Sequence, residues 1–235
     1  MSQSQIIAGT SGYSYPEWKG SFYPEKLPQS QFLEYYAGKF STVEINNTFY
    51  RFPRASLLEG WRDGTPAAFK FAVKANQRIT HKGRLRDVEE LTRDFVEQCR
   101  LLEDKLGPIL FQLPPNFKRD DERLADFLHL LDPRLRFAFE FRHASWFDDA
   151  VYEMLSDAGA ALCISEGDQL DTPRVVTGRF VYARLRRDEY SEDELTGWHA
   201  WMAEQAASGR AVFAYLKHDE EGASPEYALR LLAGR

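Results

Sequence analysis

The stretch TVEINNT, residues 42–48, alternates branched apolar side chains with polar ones. Alternation with a period of two is typical of a β-strand, because successive side chains point to opposite faces of a sheet. Val43 and Ile45 share one face, and Glu44, Asn46 and Thr48 share the other. We expect the apolar face to pack against outer helices and the polar face to line the interior of a barrel.

Seven other runs of strand-forming residues occur along the chain. They are Ile6–Ser11, Phe69–Ala75, Ile109–Leu113, Phe137–Arg142, Ala161–Ser165, Phe180–Arg186 and Val212–Lys217. Helical patterns lie between them, the clearest having apolar positions from Val88 to Leu106 and ending at Gly107-Pro108. Such alternation selects a parallel sheet, either open and doubly wound or closed. Eight units favour closure, so the sequence predicts an α/β protein with a (β/α)8 TIM-like barrel, as a single domain over residues 1–235.

The composition narrows the class of protein. The 235 residues are 43% apolar and carry a formal net charge of −6, which does not favour broad binding to a phosphate backbone. Cys99 and Cys163 have no metal-like spacing and fit buried thiols in a reducing compartment. We find neither a signal peptide nor a membrane-spanning stretch, so we expect a cytoplasmic protein without a membrane partner. The composition does not indicate an oligomeric state.

Polar side chains of inward parity cluster late in the predicted strands. They are Glu44, Asn46, Lys74, Gln112, Glu140, Arg142, Arg184 and Lys217. Active sites of such barrels lie at the carboxyl ends of the strands, so we expect these eight side chains to converge on one cavity. Buried charges need partners or a ligand. The alternative to a ligand site is a structural ion network, whose members would be Glu44, Glu140, Arg142 and Arg184.

Three kinds of chemistry compete for this face of the barrel. A metal site is not expected, because the two carboxylates are surrounded by lysines and arginines that would repel a divalent cation. A glycosidase would place Glu44 and Glu140 on either side of one bond. The third interpretation fits the most residues: the cations hold a small phosphorylated or carboxylated substrate while a glutamate moves a proton. No glycine-rich nucleotide loop occurs, so no cofactor is expected.

The third interpretation assigns roles to individual residues. We predict catalytic roles for Glu44, Glu140 and Lys74, the last as an alternative Schiff-base former. We predict substrate contacts for Asn46, Tyr50, His81, Gln112, Arg142, His143, Trp146, Arg184 and Lys217. A non-enzymatic alternative is that the end of the barrel that carries these lysines and arginines binds single-stranded nucleic acid. Aromatic residues would stack on the bases and the cations would contact the phosphates. The acidic total charge argues against that alternative.

Five motifs in the first two thirds of the chain occur in an order that resembles one family. They are GTSGY (9–13) with Trp18 and FYP (22–24), VEINNTFY (43–50), the run 69–74 with Thr80-His81, the run from Gly107-Pro108 to QLPP (112–115), and EFRH (140–143) with Ser145-Trp146. The chain resembles the YecE-like family, a domain of unknown function. The resemblance implies a TIM-like barrel, with distant similarity in fold to sugar isomerases and endonuclease-IV-like barrels, and no settled activity.

Two strand ends depart from the pattern of that family. The seventh strand commonly carries an Arg-Leu-His-Gly element, whereas this chain has Arg184-Leu185-Arg186-Arg187. The last strand often ends in asparagines, whereas this chain has Leu216-Lys217-His218. A histidine is lost and cations are gained. We therefore expect this half of the site to differ in substrate or activity.

Overall fold

A computed structural model describes residues 6–167 and 170–234 of the chain. Its sheet contains eight parallel strands in the order β1-β8-β7-β6-β5-β4-β3-β2. They are β1 (Ile6–Thr10), β2 (Thr42–Ile45), β3 (Lys70–Lys74), β4 (Leu106–Gln112), β5 (Phe137–Glu140), β6 (Ala161–Ser165), β7 (Phe180–Leu185) and β8 (Ala211–Leu216). This order brings the first two strands together at the seam of a nearly closed barrel. The predicted (β/α)8 fold is confirmed.

Helices pack around the outside of the barrel. They are α1 (Phe32–Ala37), α2 (Asn47–Tyr50), α3 (Ala55–Asp63), α4 (Glu89–Cys99), α5 (Asp121–His129), α6 (Asp149–Asp157), α7 (Glu192–Ala207) and α8 (Ala223–Ala233). Between β6 and β7 the described residues form no helix. Within the described ranges, no helix combines the length and apolar character needed to cross a membrane.

The seam between β1 and β2 is closed by a few specific contacts. A parallel bridge joins Ser11 to Glu44. The buried Tyr36 hydroxyl accepts a hydrogen bond from the Thr10 amide at 2.8 Å and donates one to the Thr42 carbonyl at 3.2 Å. A side chain at Gly9 would place its Cβ 2.3 Å from that same carbonyl, so the close approach of β2 requires glycine. The tyrosine therefore replaces part of the missing ladder between the two strands.

Two predicted boundaries are wrong for local reasons. Strand β2 ends at Ile45 rather than Thr48, because Asn46 has a helical backbone and Asn47–Tyr50 forms α2. The segment Gly107-Pro108 does not end a helix but lies inside β4. The preceding helical pattern ends earlier, in a 3₁₀ turn where Glu103 has a φ of 52°. Gly107 is needed within the strand because a Cβ there would lie 2.9 Å from the Phe71 carbonyl.

Apolar side chains fill the lower part of the barrel interior. The inner cluster consists of Ala72, Leu110, Ala138, Ala161, Cys163, Phe180, Tyr182, Phe213 and Tyr215. A separate and larger core lies between the strands and the outer helices. The Tyr215 hydroxyl hydrogen-bonds Thr42 Oγ1 at 2.8 Å inside the barrel. This packing leaves the carboxyl ends of the strands as the end of the barrel where polar groups gather.

Candidate active site at the carboxyl ends of the strands

Three charged side chains from three strands form a buried ion network next to the inner apolar cluster. Arg184 on β7 lies between two carboxylates, with Nη2 2.8 Å from Glu44 Oε1 and Nη1 2.6 Å from Glu140 Oε2. The exposed fractions of Glu44, Glu140 and Arg184 are 0%, 1% and 2%. The guanidinium fills the space between the two glutamates. That arrangement leaves no room for a glycosidic bond between them, which counts against the glycosidase interpretation.

Neutral and charged neighbours satisfy most of the remaining acceptor capacity of the glutamates. Glu44 accepts hydrogen bonds from the side chains of Ser11 at 2.8 Å, Asn46 at 3.0 Å and Tyr182 at 2.7 Å. Glu140 accepts from Gln112 at 2.9 Å and from Arg142 Nε at 2.7 Å. Two buried polar atoms of this network, Arg184 Nε and Asn46 Oδ1, have no partner among the described residues. The contacts of the glutamates with Arg184 and Arg142 match the structural ion network that the sequence offered as the alternative to a ligand site.

Both glutamates stay ionised in this environment. Burial raises the pKa of Glu44, but the charge of Arg184 and the hydrogen bonds of its neighbours lower it further, and the net pKa is below its ordinary value. For Glu140 burial is likewise outweighed by Arg184 and Arg142, so its pKa lies well below the ordinary range. A carboxylate with so low a pKa is a weak base at neutral pH. The geometry therefore favours Glu44 and Glu140 as anchors for arginines.

A cavity of about 370 Å³ opens beside this network. It is lined by Pro115, Glu140, Phe141, Arg142, Ser165, Gly167, Leu170, Thr172, Arg186 and Lys217. The lining residues come from the ends of β5 to β8 and from the loops that follow β4 and β6. A cavity of this size and position accommodates a small metabolite.

The three cations of the cavity differ in how they are paired. Arg142 uses its Nε for Glu140, and Lys217 Nζ lies 2.6 Å from the exposed Asp188. Arg186 is half-buried and has neither an ion pair nor a side-chain hydrogen bond with any residue in the ranges 6–167 and 170–234. Burial and the nearby charge of Arg184 lower the pKa of Arg186. No residue in the part of the chain that the structure describes therefore occupies its guanidinium donors.

Lys74 lies at the end of β3, outside the lining of this cavity. Its Nζ is 4.2 Å from the centroid of the Phe49 ring. The ring is held there because Thr48 donates to the Lys74 carbonyl and Asn76 donates to the Thr48 carbonyl, at 2.7 and 2.9 Å. Burial, together with the charge of Arg184, lowers the pKa of Lys74 to about 8.

His81 packs beside Lys74 on the same aromatic ring. The imidazole and Phe49 rings form a T-shaped pair with centroids 4.8 Å apart, and the His81 Nδ1 hydrogen-bonds the Thr80 hydroxyl. Burial and the charge of Lys74 lower the pKa of His81. Lys74, His81 and Phe49 therefore form a second small group, which we call the lysine group.

Nine of the predicted site residues fall into three sets, and three others lie away from the cavity. Glu140, Arg142 and Lys217 line the cavity, whereas Glu44, Asn46, Gln112 and Arg184 form the buried network beneath it. Lys74 and His81 belong to the lysine group. The structure does not bring Tyr50, His143 and Trp146 to the cavity.

These three residues have other positions and contacts. Tyr50 is 70% exposed on α2. His143 accepts a hydrogen bond from the Ser145 amide and caps a 3₁₀ turn. Trp146 is fully buried, stacks on Phe141 and donates its indole N–H to the Phe117 carbonyl. A buried indole offers no stacking surface, which also removes an expected element of the nucleic-acid interpretation.

Sequence reasoning gave no site role to Arg186, Ser165 or Thr172, all of which line the cavity. Parity places Arg186 and Ser165 inward, but Arg186 stands next to the exposed Arg187, which makes a solvated role equally reasonable from the sequence. Thr172 lies in a loop without any periodic signal. Within the described ranges, no three His, Cys, Asp or Glu side chains are grouped so as to hold a metal ion.

Comparison with protein families and structures gives a consistent result. The family model described as "Protein of unknown function DUF72" matches residues 7–234. The UPF0759 protein YecE of Escherichia coli strain K12 is 30% identical over 155 residues, which are 66% of this chain and 54% of YecE. The UPF0759 protein YunF of Bacillus subtilis strain 168 is 34% identical over 157 residues, which are 63% of this chain and 54% of YunF. The chain therefore spans about half the length of these relatives.

A solved structure extends the comparison to the whole chain. The crystal structure of a DUF72 family protein from Thermotoga maritima superposes with a TM-score of 0.84 at 29% identity. The match covers 97% of both chains. Strand order and helix placement are thus shared along the full barrel.

Proposed function

Since the chain belongs to the DUF72 family and shares its barrel, we propose that it is an enzyme whose cavity at the carboxyl ends of the strands binds a small anionic substrate. The substrate carries a phosphate or a carboxylate. The observation that carries this proposal is the pairing state of Arg186: a half-buried guanidinium lines the cavity without a partner among the described residues. The donors of a half-buried arginine can exchange water for the oxygens of a ligand without breaking a contact to a described residue.

The other cations of the cavity support an anionic ligand. Arg142 has one nitrogen committed to Glu140, which fixes its orientation and leaves its Nη atoms for other acceptors. Lys217 pairs with an exposed aspartate, and such a surface pair exchanges easily for a stronger acceptor. A planar guanidinium and an ammonium together match the oxygens of phosphate or carboxylate.

The glutamates have a positioning role in this proposal. Glu44 and Glu140 are ionised and already bonded to Arg184, so they orient the arginines rather than accept a proton from the substrate. Lys74 is a better candidate for a group that reacts with the substrate, because its pKa of about 8 lies close to neutral pH. We therefore assign the reacting role to Lys74 in place of the two glutamates.

The proposal is tested by ligand-dependent thermal stability. We would screen phosphorylated and carboxylated metabolites, each beside its uncharged counterpart, against the wild type and the Arg186→Gln variant. Arg93→Gln is the matched control, because Arg93 is exposed on α4 and does not line the cavity. A ligand at about 100 times its dissociation constant stabilises the fold by about 2.7 kcal/mol.

The expected result is that at least one anion stabilises the wild type and Arg93→Gln but not Arg186→Gln, while the uncharged counterpart has no effect. Two results would overturn the proposal. One is that no anion stabilises the wild type beyond an equal ionic strength of sodium chloride. The other is that the best anion protects Arg186→Gln as well as it protects the wild type.

A further inference from the structure

The lysine group contains a primary amine in a setting suited to covalent chemistry. No carboxylate of the described residues forms an ion pair with Lys74, whose Nζ lies over the Phe49 ring. The residue is half-buried at the carboxyl end of β3, the end of the barrel that carries the anionic site proposed above. Burial disfavours its charged form most, and the guanidinium groups of Arg184 and Arg142 act in the same direction, whereas Glu140 and Glu44 oppose them.

We propose that Lys74 is a nucleophile toward the carbonyl carbon of the substrate, so that the substrate class is an aldehyde or ketone that also carries a phosphate or carboxylate. This inference rests on the proposed anion site. It adds the reacting group of the substrate and the atom of the protein that meets it, Lys74 Nζ.

The barrel places the two ends of such a substrate on opposite walls. Strand β3 and strand β7 are separated by four steps around the eight-stranded sheet, so they face each other across the barrel. Lys74 ends β3, and Arg186 follows directly after β7. In this proposal a substrate whose anionic group binds Arg186 extends across the mouth of the barrel, so that its carbonyl group meets Lys74.

The covalent step balances without any oxidant or reductant. The lone pair of the neutral Nζ attacks the carbonyl carbon, and the C=O π bond breaks to give a carbinolamine after proton transfer from nitrogen to oxygen. A further proton reaches that oxygen, the C–O bond breaks, and water leaves. The product is an iminium ion in which Nζ is doubly bonded to the former carbonyl carbon. His81, which shares the Phe49 ring with Lys74, is placed to relay these protons.

Reductive trapping tests the inference directly. We would treat the protein with glyceraldehyde 3-phosphate or with glyceraldehyde in the presence of cyanoborohydride, which reduces the iminium to a stable secondary amine. Peptide mapping by mass spectrometry then locates and counts the adducts. The exposed Lys26 and Lys118 act as internal controls, and Lys74→Arg keeps the positive charge without the nucleophile.

The neutral fraction of the amine sets the size of the expected effect. An ordinary lysine has a pKa of about 10.4, so at pH 7 Lys74 has a neutral fraction larger by roughly two-hundredfold. We expect labelling at Lys74 to exceed that at the control lysines by at least about tenfold. Its rate should rise with pH and level off above about pH 8.

Different outcomes separate this inference from the anion site. Preferential labelling of Lys74 by the phosphorylated aldehyde, with the preference lost in Arg186→Gln, supports both. If Lys74 is labelled no faster than Lys26 and Lys118 while an anion still protects the wild type thermally, the nucleophile is overturned and the anion site stands. Equal labelling of Lys74 by the two aldehydes, unchanged in Arg186→Gln, overturns the anion site and leaves the reactive lysine.

Discussion

Glu44 on β2 and Glu140 on β5 share one cation, the guanidinium of Arg184, which lies 2.8 Å from an oxygen of the first and 2.6 Å from an oxygen of the second. All three side chains are almost completely buried. A buried charge that loses its partner is strongly destabilising, whereas the complete network is tolerated. The first predictions follow from this arrangement.

Glu140→Gln should destabilise the fold by about 3–5 kcal/mol, because the buried Arg184 then keeps only one carboxylate. The matched control is Glu153→Gln, on the exposed face of α6, for which we expect a change within about 0.5 kcal/mol. Urea unfolding of both variants measures the difference. A Glu140→Gln protein as stable as Glu153→Gln would show that the network does not hold the barrel together.

The Glu140 carboxylate should also make the free energy of unfolding depend on pH in the acidic range. The pKa of Glu140 in the folded state lies well below its ordinary value of 4.5, so its stabilising contribution is complete above that value and is lost as the pH falls toward the folded pKa. The difference in unfolding free energy between wild type and Glu140→Gln should therefore be constant from about pH 5 to 7 and shrink below about pH 4. A difference that stays constant down to pH 3 would contradict the assigned ionisation.

Arg184 on β7 and Arg186 just after that strand should respond differently to the same substitution. Arg184→Gln leaves two buried carboxylates without their shared cation and should cost about 3–5 kcal/mol. Arg186→Gln removes a half-buried charge without a partner among the described residues, and should leave stability unchanged or raise it by about 0.5–1 kcal/mol. Chemical denaturation measures both. Equal losses in the two variants would mean that Arg186 serves the fold and not a ligand.

The seam of the barrel offers a test of the fold itself. Tyr36→Phe removes the hydroxyl that accepts from the Thr10 amide, and an unsatisfied buried N–H costs about 1–3 kcal/mol. The neighbouring Tyr35 is half-buried, and Tyr35→Phe is the matched control. We expect only the first variant to lose stability in urea. Similar small losses in both would indicate that the strands close without this hydrogen bond.

The eight strands could be predicted because each is a short run of strand-forming residues whose side chains point alternately to two faces, and barrel closure followed from their number. The inward parity of Glu44 and Glu140 was accessible for the same reason. An ion network that includes Arg184 could be named only as an alternative to a ligand site, because the choice depends on contacts among three strands far apart in sequence. Local turn formation at Asn46 shortened β2 in a way that alternation alone does not reveal.

The candidate site was less predictable than the fold. Trp146 follows a strand end, and we predicted a substrate contact for it. In the structure it stacks on Phe141. Arg186 stands beside the exposed Arg187 in the sequence, and only the three-dimensional arrangement shows that it lines the cavity. The ion pairs of a side chain are a tertiary property, so no pattern in the sequence distinguishes Arg184, whose two Nη atoms each pair with a glutamate, from Arg186.

The most direct measurement is the position of a bound anion in a crystal of the wild-type protein with the most stabilising ligand from the metabolite screen. We expect its phosphate or carboxylate to lie within hydrogen-bond distance of the Arg186 guanidinium, inside the cavity that Arg142 and Lys217 also line. An anionic group bound elsewhere, with Arg186 left without contact to the ligand, would contradict the proposed anion site.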